Sequence, residues 1–177
     1  MHSSENQARA YLDNLIQQNR LPGIQYIVVG EQDIRFEYYG GRRDIGANLP
    51  VTAQTTFMAS SSTKALTAAA VLQLVERGQV ELDKSLSAYY PAHPYGDQVT
   101  IRRLLNQSSG IRNPAPVKWL HTVEEQPTFD EAQALQQVLS QHPRLAFPPG
   151  DRYAYSNISY WLLGQVPQPV AIFGQAV

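Results

Sequence analysis

The sequence predicts an α+β fold, an antiparallel sheet edge packed by helices together with a helical part, in a chain of 177 residues. Three observations carry this expectation. Residues 24–29 (IQYIVV) and 34–39 (IRFEYY) are runs of β-branched and aromatic residues, the composition of strands. Only residues 30–33 separate them, which is short enough for a hairpin turn. Residues 57–78 (FMASSSTKALTAAAVLQLVERG) are dominated by helix formers and end at a glycine, the usual C-terminal punctuation of a helix.

Taken in order, residues 6–20 read as a surface helix with Ala10, Leu12, Leu15 and Ile16 as its apolar stripe, ended by Pro22-Gly23. In the second strand Ile34, Phe36 and Tyr38 alternate with Arg35 and Glu37, so one face is expected to be buried. Residues 40–50 read as loop. The central helix, residues 65–77, is apolar all round, which predicts burial with Ala69, Leu72 and Val75 among the most buried residues. Residues 80–90 form a short helical or extended piece that stops at Pro91. Thr100 is placed to cap a short helix through Leu104 and Leu105, broken at Ser108-Ser109-Gly110. Residues 111–126 read as irregular. Thr128 and Glu131 have capping-box spacing before a helix with Ala134, Leu135, Val138 and Leu139 on one face, ended by His142-Pro143. Pro148-Pro149-Gly150 is a rigid turn, and Tyr155-Ser156-Asn157 leads into an apolar run that closes at Gly164.

Chemistry enters at Lys64, the one charge set into the central apolar segment. A buried, unpaired ammonium costs several kcal/mol or loses its proton, so this position calls for a partner. Ser61 lies three residues earlier, on the same helical face. A desolvated lysine can accept the proton of a serine hydroxyl and leave it nucleophilic. The plainer reading is that Ser60, Ser61 and Ser62 cap the helix while Lys64 reaches solvent. Spacing distinguishes the serines, because Ser60 is four residues from Lys64 and Ser62 is two.

Composition narrows the partners. Lys+Arg 14 against Asp+Glu 15 gives a net charge of −1, so no basic field recruits nucleic acid or anionic lipid. With no cysteine, thiolate catalysis, disulfides and Cys-based zinc sites are excluded. His2, His93, His121 and His142 lack metal-ligand spacing, so neither metal nor other cofactor is expected. The central segment is too short for a membrane span, and the N-terminus lacks the basic and apolar regions of a signal peptide, which points to the cytoplasm.

Four stretches resemble, in the expected order, the serine β-lactamase and penicillin-binding family, closest to the branch of class C β-lactamases, related esterases and D-alanyl-D-alanine peptidases. They are IQYIVVGEQDIRFEYYG, FMASSSTKALTAAAVLQLVERGQVELD, TIRRLLNQSSGI and FPPGDRYAYSNISYWLLG. The resemblance implies that Ser61 is the acylated serine and Lys64 the lysine beside it. It implies that Tyr155 and Asn157 form the Y-x-N element opposite the serine, the tyrosine moving protons and the asparagine binding the substrate amide. Read as residues alone, Tyr155 is sooner a core aromatic and Asn157 sooner a helix cap, the common uses of such residues.

Two departures stand out. Gln107 occupies a position commonly histidine in the family, a change read as minor. After Tyr155 there is no K-x-G or H-x-G, the family's third motif, and the tail GQVPQPVAIFGQAV is atypical. The expectation is therefore one partial domain, 1–177, truncated at its C-terminus: a hairpin over 21–40, a helical part over 57–164 carrying S-x-x-K and Y-x-N, and the tail 165–177. Its function by resemblance is that of a serine hydrolase acting through an acyl-serine on a small-molecule acyl substrate, a β-lactam, an ester or a D-amino-acid peptide. The alternative is an inactive fragment or binding remnant. Self-association through the open sheet edge and the apolar residues 170–173, with weak or no turnover, is expected of either.

Overall fold

The computed structural model describes residues 2–114 and 124–166. The chain divides into two compact units, Met1–Met58 and Ala59–Val177. The sequence expectations for residues 115–123 and for the tail from residue 167 lie outside the described residues.

In the first unit, α1 (His2–Gln17) precedes three antiparallel strands, β1 (Gly23–Val29), β2 (Ile34–Asp44) and β3 (Leu49–Pro50), in the order β1-β2-β3. The hairpin forms where the sequence places it: the Gly30 N–H donates to the Asp33 carbonyl at 2.7 Å, and Tyr26 faces Tyr38 in register. The helix begins earlier than expected and stops at Gln17, not at Pro22-Gly23. Asn19 takes the left-handed conformation (φ 54°), and the N–H groups of Asn19 and Arg20 satisfy the Ile16 and Leu15 carbonyls at 2.9 Å. Asparagine tolerates that conformation through its short polar side chain, so it serves as the stop.

Leu12 is buried on α1, whereas Ala10 is exposed. The helix lies against β2: the Arg9 guanidinium stands 4.9 Å over the Phe36 ring, and the Tyr38 hydroxyl donates to Asp13 Oδ1 at 2.6 Å. Residues 40–50 are not all loop. Gly40 and Gly41 still pair with Ile24 and Gly23, and the strand then turns to pair Arg42 with Pro50. Low strand propensity is overridden there by available pairing partners.

The second unit is helical. A 3-10 turn, Ser60–Ser62, leads into α2 (Thr63–Glu76); α3 (Ile101–Leu105), α4 (Glu131–Gln141) and α5 (Asn157–Gln165) follow. Its core joins Val71 and Leu74 of α2, Ile101 and Leu104 of α3, Leu135 and Leu139 of α4, and Ile158, Leu162 and Leu163 of α5. Gly78 ends α2 as expected, with φ 70° and the Gln79 N–H returning to the Leu74 carbonyl at 2.9 Å. Thr100 caps α3 as expected, its hydroxyl accepting the Arg103 N–H at 3.4 Å.

Two expectations are corrected. The buried residues of α2 are Ala70, Val71 and Leu74; Ala69 is exposed, Leu72 is 48% exposed and Val75 is half-buried. A helix apolar all round has no preferred face of its own, and packing on α5 selects the 70/71/74 side. The cap of α4 is Asp130, whose Oδ1 accepts the Gln133 N–H at 2.9 Å; Thr128 is held in a 3-10 turn with Pro127. Aspartate in extended conformation one residue before the helix meets the capping geometry that Thr128 cannot. The apolar run before Gly164 forms α5, with Ile158, Leu162 and Leu163 buried.

Candidate active site

The site lies within the second unit, where the start of α2 meets the start of α5. Ser60 is forced into the left-handed region, with φ 46°. A non-glycine residue held there costs on the order of 1–3 kcal/mol and persists only where its surroundings demand it. The strained turn presents Ser61, which is exposed, immediately before α2. Lys64 follows in the first helical turn, half-buried, with its Nζ 3.4 Å from Ser61 Oγ. The three-residue spacing brings the two together, as helical geometry requires.

The opposite wall comes from the segment entering α5. Ser156 caps this helix, its hydroxyl accepting the Ser159 N–H at 3.3 Å. Asn157 is therefore not the cap, and its side chain turns to Lys64 instead, Oδ1 accepting from Nζ at 2.7 Å. Tyr155 is not a core aromatic: it is 39% exposed, and its hydroxyl shares a 2.8 Å hydrogen bond with Ser61 Oγ. The same hydroxyl donates to Asn157 Oδ1 at 3.1 Å, and Lys64 Nζ lies 4.9 Å from the Tyr155 ring centre. The Lys64 ammonium foremost, and the Ser61 hydroxyl after it, hold the Tyr155 phenol below its ordinary value of 10.0.

All four residues singled out in the sequence thus meet in one cluster. A serine hydroxyl bonded to an acidified phenol, beside an ammonium, is chemically able to pass its proton to the phenol oxygen.

The structure adds residues that sequence reasoning passed over. Gln107, read as a minor departure, is buried and left-handed at φ 60°. Its Oε1 accepts the Ser156 N–H at 2.8 Å, and its carbonyl accepts the Ala154 N–H at 2.8 Å. Asn113 Oδ1 accepts the Asn157 N–H at 3.0 Å. Together these bonds clamp the backbone on both sides of Tyr155. Gly110 completes the clamp: its φ is 77°, and a Cβ there would collide with the Phe147 carbonyl oxygen. The turn residues around Gly110 were a visible signal, but the partners of Gln107 and Asn113 lie more than forty residues away.

Comparison with known proteins agrees with the geometry. The family model described as Beta-lactamase matches residues 8–175. Protein flp of Staphylococcus aureus (strain COL) is 25% identical over 174 residues, covering 96% of this chain and 34% of the relative. The chain therefore spans about a third of that relative's length. A crystal structure of SurE with D-Leu superposes with a TM-score of 0.75 at 28% identity, covering 94% of this chain and 36% of that one. The D-amino acid amidase of Ochrobactrum anthropi SV3, complexed with L-phenylalanine, shares the fold with a TM-score of 0.76 at 23% identity, covering 91% of this chain and 43% of that one. Among the described residues, no helix is long and apolar enough to cross a membrane.

Proposed function

Because the chain belongs to the beta-lactamase family, we propose that its site is that of a serine hydrolase that is acylated on Ser61. The observation that carries this reading is the 2.8 Å hydrogen bond between Ser61 Oγ and Tyr155 OH, flanked by Lys64. Tyr155, as phenolate, takes the Ser61 proton while Oγ bonds to the substrate carbonyl carbon. The carbonyl electron pair moves onto oxygen, where the Ser61 backbone N–H is a donor for the developing charge. Collapse expels the leaving amine or alcohol, which takes the proton back from Tyr155. Water then attacks the acyl carbon with Tyr155 again as base and frees Ser61. Lys64 keeps the phenolate accessible and, with Asn157, holds the substrate's amide or carbonyl in place. The substrate is an acyl compound of the β-lactam, activated ester or D-amino-acid peptide class. SurE, solved with D-Leu, supports a D-amino-acid-derived acyl group.

Intact-protein mass spectrometry after exposure to a penicillin and to a p-nitrophenyl ester tests the reading. An adduct is expected on the native chain and on Ser62→Ala, and none on Ser61→Ala. An adduct that persists in Ser61→Ala assigns the nucleophile elsewhere. No adduct on the native chain leaves the binding-remnant reading.

We also propose that the chain self-associates through β1. Among the described residues this strand pairs on one side only, with β2, and Ile27 and Val29 on it are exposed.

A further inference from the structure

Two tyrosine rings stand beside the Lys64 ammonium, and the proton chemistry above uses only one of them. Nζ lies 4.9 Å from the centre of the Tyr155 ring and 5.7 Å from the centre of the Tyr160 ring, over its face. Tyr160 follows Asn157 by three residues on α5, so both meet Lys64 from one helical face. The Tyr160 hydroxyl donates to the Leu105 carbonyl, at the end of α3, at 2.9 Å, and the residue is half-buried. The ring is therefore anchored at its far end and does not follow the lysine.

Lys64 calls for such a neighbour. A lysine carries its ammonium on a flexible four-carbon stem. Among the described residues Nζ has two oxygen partners, Asn157 Oδ1 at 2.7 Å and Ser61 Oγ at a long 3.4 Å. Lys64 and Tyr160 both line a cavity of about 500 Å3. The ammonium thus has room to take other rotamers, and side-chain entropy favours its doing so. The negative face of an aromatic ring within about 6 Å attracts an ammonium. Nζ meets that attraction in the same place where it bonds Asn157 and Ser61, so the Tyr160 ring adds to the cluster and does not compete with it. Tyr160 is also suited to stay neutral. Burial first, and then the charges that Tyr153 and Tyr155 take on ionisation, push its phenol up, while the Tyr155 phenol is held down. Environments that push two like groups apart assign them different roles. Tyr155 ionises, and Tyr160 remains a ring.

We infer that Tyr160 is a positioning residue of the site: its ring face holds the Lys64 ammonium beside Ser61 and Tyr155, and the proton transfer between those two hydroxyls depends on that hold. The inference rests on the serine hydrolase reading for what the held ammonium serves, but the hold itself exists without substrate. Tyr160 acts only through Lys64, which does most to lower Tyr155. With the ring attraction removed, Nζ spends more of its time away from the cluster, and the Tyr155 phenol moves back towards its ordinary 10.0.

The test compares two rings of nearly the same shape in the full chain: Tyr160→Phe, and the same position carrying trifluorophenylalanine, whose fluorines withdraw the negative charge of the ring face. Both lack the hydroxyl, so loss of the bond to Leu105 is common to them. The Tyr155 hydroxyl is titrated from about pH 6 to 11 by carbon NMR with tyrosines labelled at Cζ, and its signal is the one that disappears in Tyr155→Phe. Tyr155 is expected to titrate roughly half a pH unit higher with the fluorinated ring than in Tyr160→Phe, the scale of one partly exposed contact between an ammonium and a ring. A merely structural role for Tyr160 lowers the stability of both chains alike and leaves no difference between their titrations. Equal titration therefore overturns the proposal. So does a lower value with the fluorinated ring, which would make the ring a competitor for Lys64. Failure of the hydrolase reading is seen separately, as the lack of a Ser61 adduct on the native chain, and leaves this titration in place.

Discussion

Tyr155 owes its acidity to one neighbour more than to any other, the Lys64 ammonium. This sets the sign of a pH experiment. If the phenolate is the base, the rate of Ser61 acylation rises with pH and levels off above the Tyr155 pKa, which lies below 10.0. Lys64→Met removes the largest cause of that lowering and leaves only the smaller one from Ser61. The rising limb is then expected to move to higher pH, with the rate at pH 7 falling about tenfold for each unit of displacement. Adduct formation with a p-nitrophenyl ester, followed by mass spectrometry from pH 6 to 11, measures it. A limb that stays in place in Lys64→Met would remove Tyr155 as the base. The Ser61 substitution belongs to this same scale, since it removes the proposed nucleophile alone.

Between elements, the clamp on the segment entering α5 matters most. Gln107 follows α3 yet supplies the acceptor for the Ser156 N–H, between Tyr155, which bonds Ser61, and Asn157, which bonds Lys64. Leucine has nearly the same shape and no acceptor, so Gln107→Leu strands a buried N–H at a cost of about 1–3 kcal/mol. The urea midpoint is expected to fall by the corresponding amount, while Gln107→Glu, which retains an acceptor, is expected to lose less. Acylation should slow in Gln107→Leu beyond what instability explains, because Tyr155 and Asn157 flank the released N–H. Unchanged stability in Gln107→Leu would mean that the bond contributes nothing net. The role of Gln107 was not legible in the sequence for a definite reason: its partner is 49 residues away, and no local pattern announces such a pairing.

For the molecule as a whole, charge and exposed apolar surface act together. A net charge of −1 provides little repulsion between copies. Ile27, Val29 and Ile34 on the β1–β2 hairpin are 42%, 69% and 58% exposed, and β1 is an edge strand among the described residues. Sedimentation velocity is expected to show association that grows with concentration, and Ile27→Lys is expected to weaken it by placing a charge on the edge. A chain that stays monomeric over a hundredfold concentration range, or an Ile27→Lys variant that associates as strongly, counts against β1 as the contact.

The sequence by itself determined what depends on near neighbours. The three-residue step from Ser61 to Lys64, the hairpin turn at 30–33, the Gly78 stop and the Thr100 cap are all set by backbone geometry within a few residues. Tyr155 and Asn157 were legible only through resemblance to a family, since as isolated residues they read sooner as core and cap. Tertiary structure decided which side of α2 is buried, because an all-apolar helix carries no preference until α5 packs against it. It also decided that Ser156 caps α5 and leaves Asn157 for Lys64, and that Glu131 meets Trp161 beside that lysine. The Lys64–Asn157 and Glu131–Trp161 contacts join residues 93 and 30 positions apart, and a contact over that distance exists only once the helices between have packed.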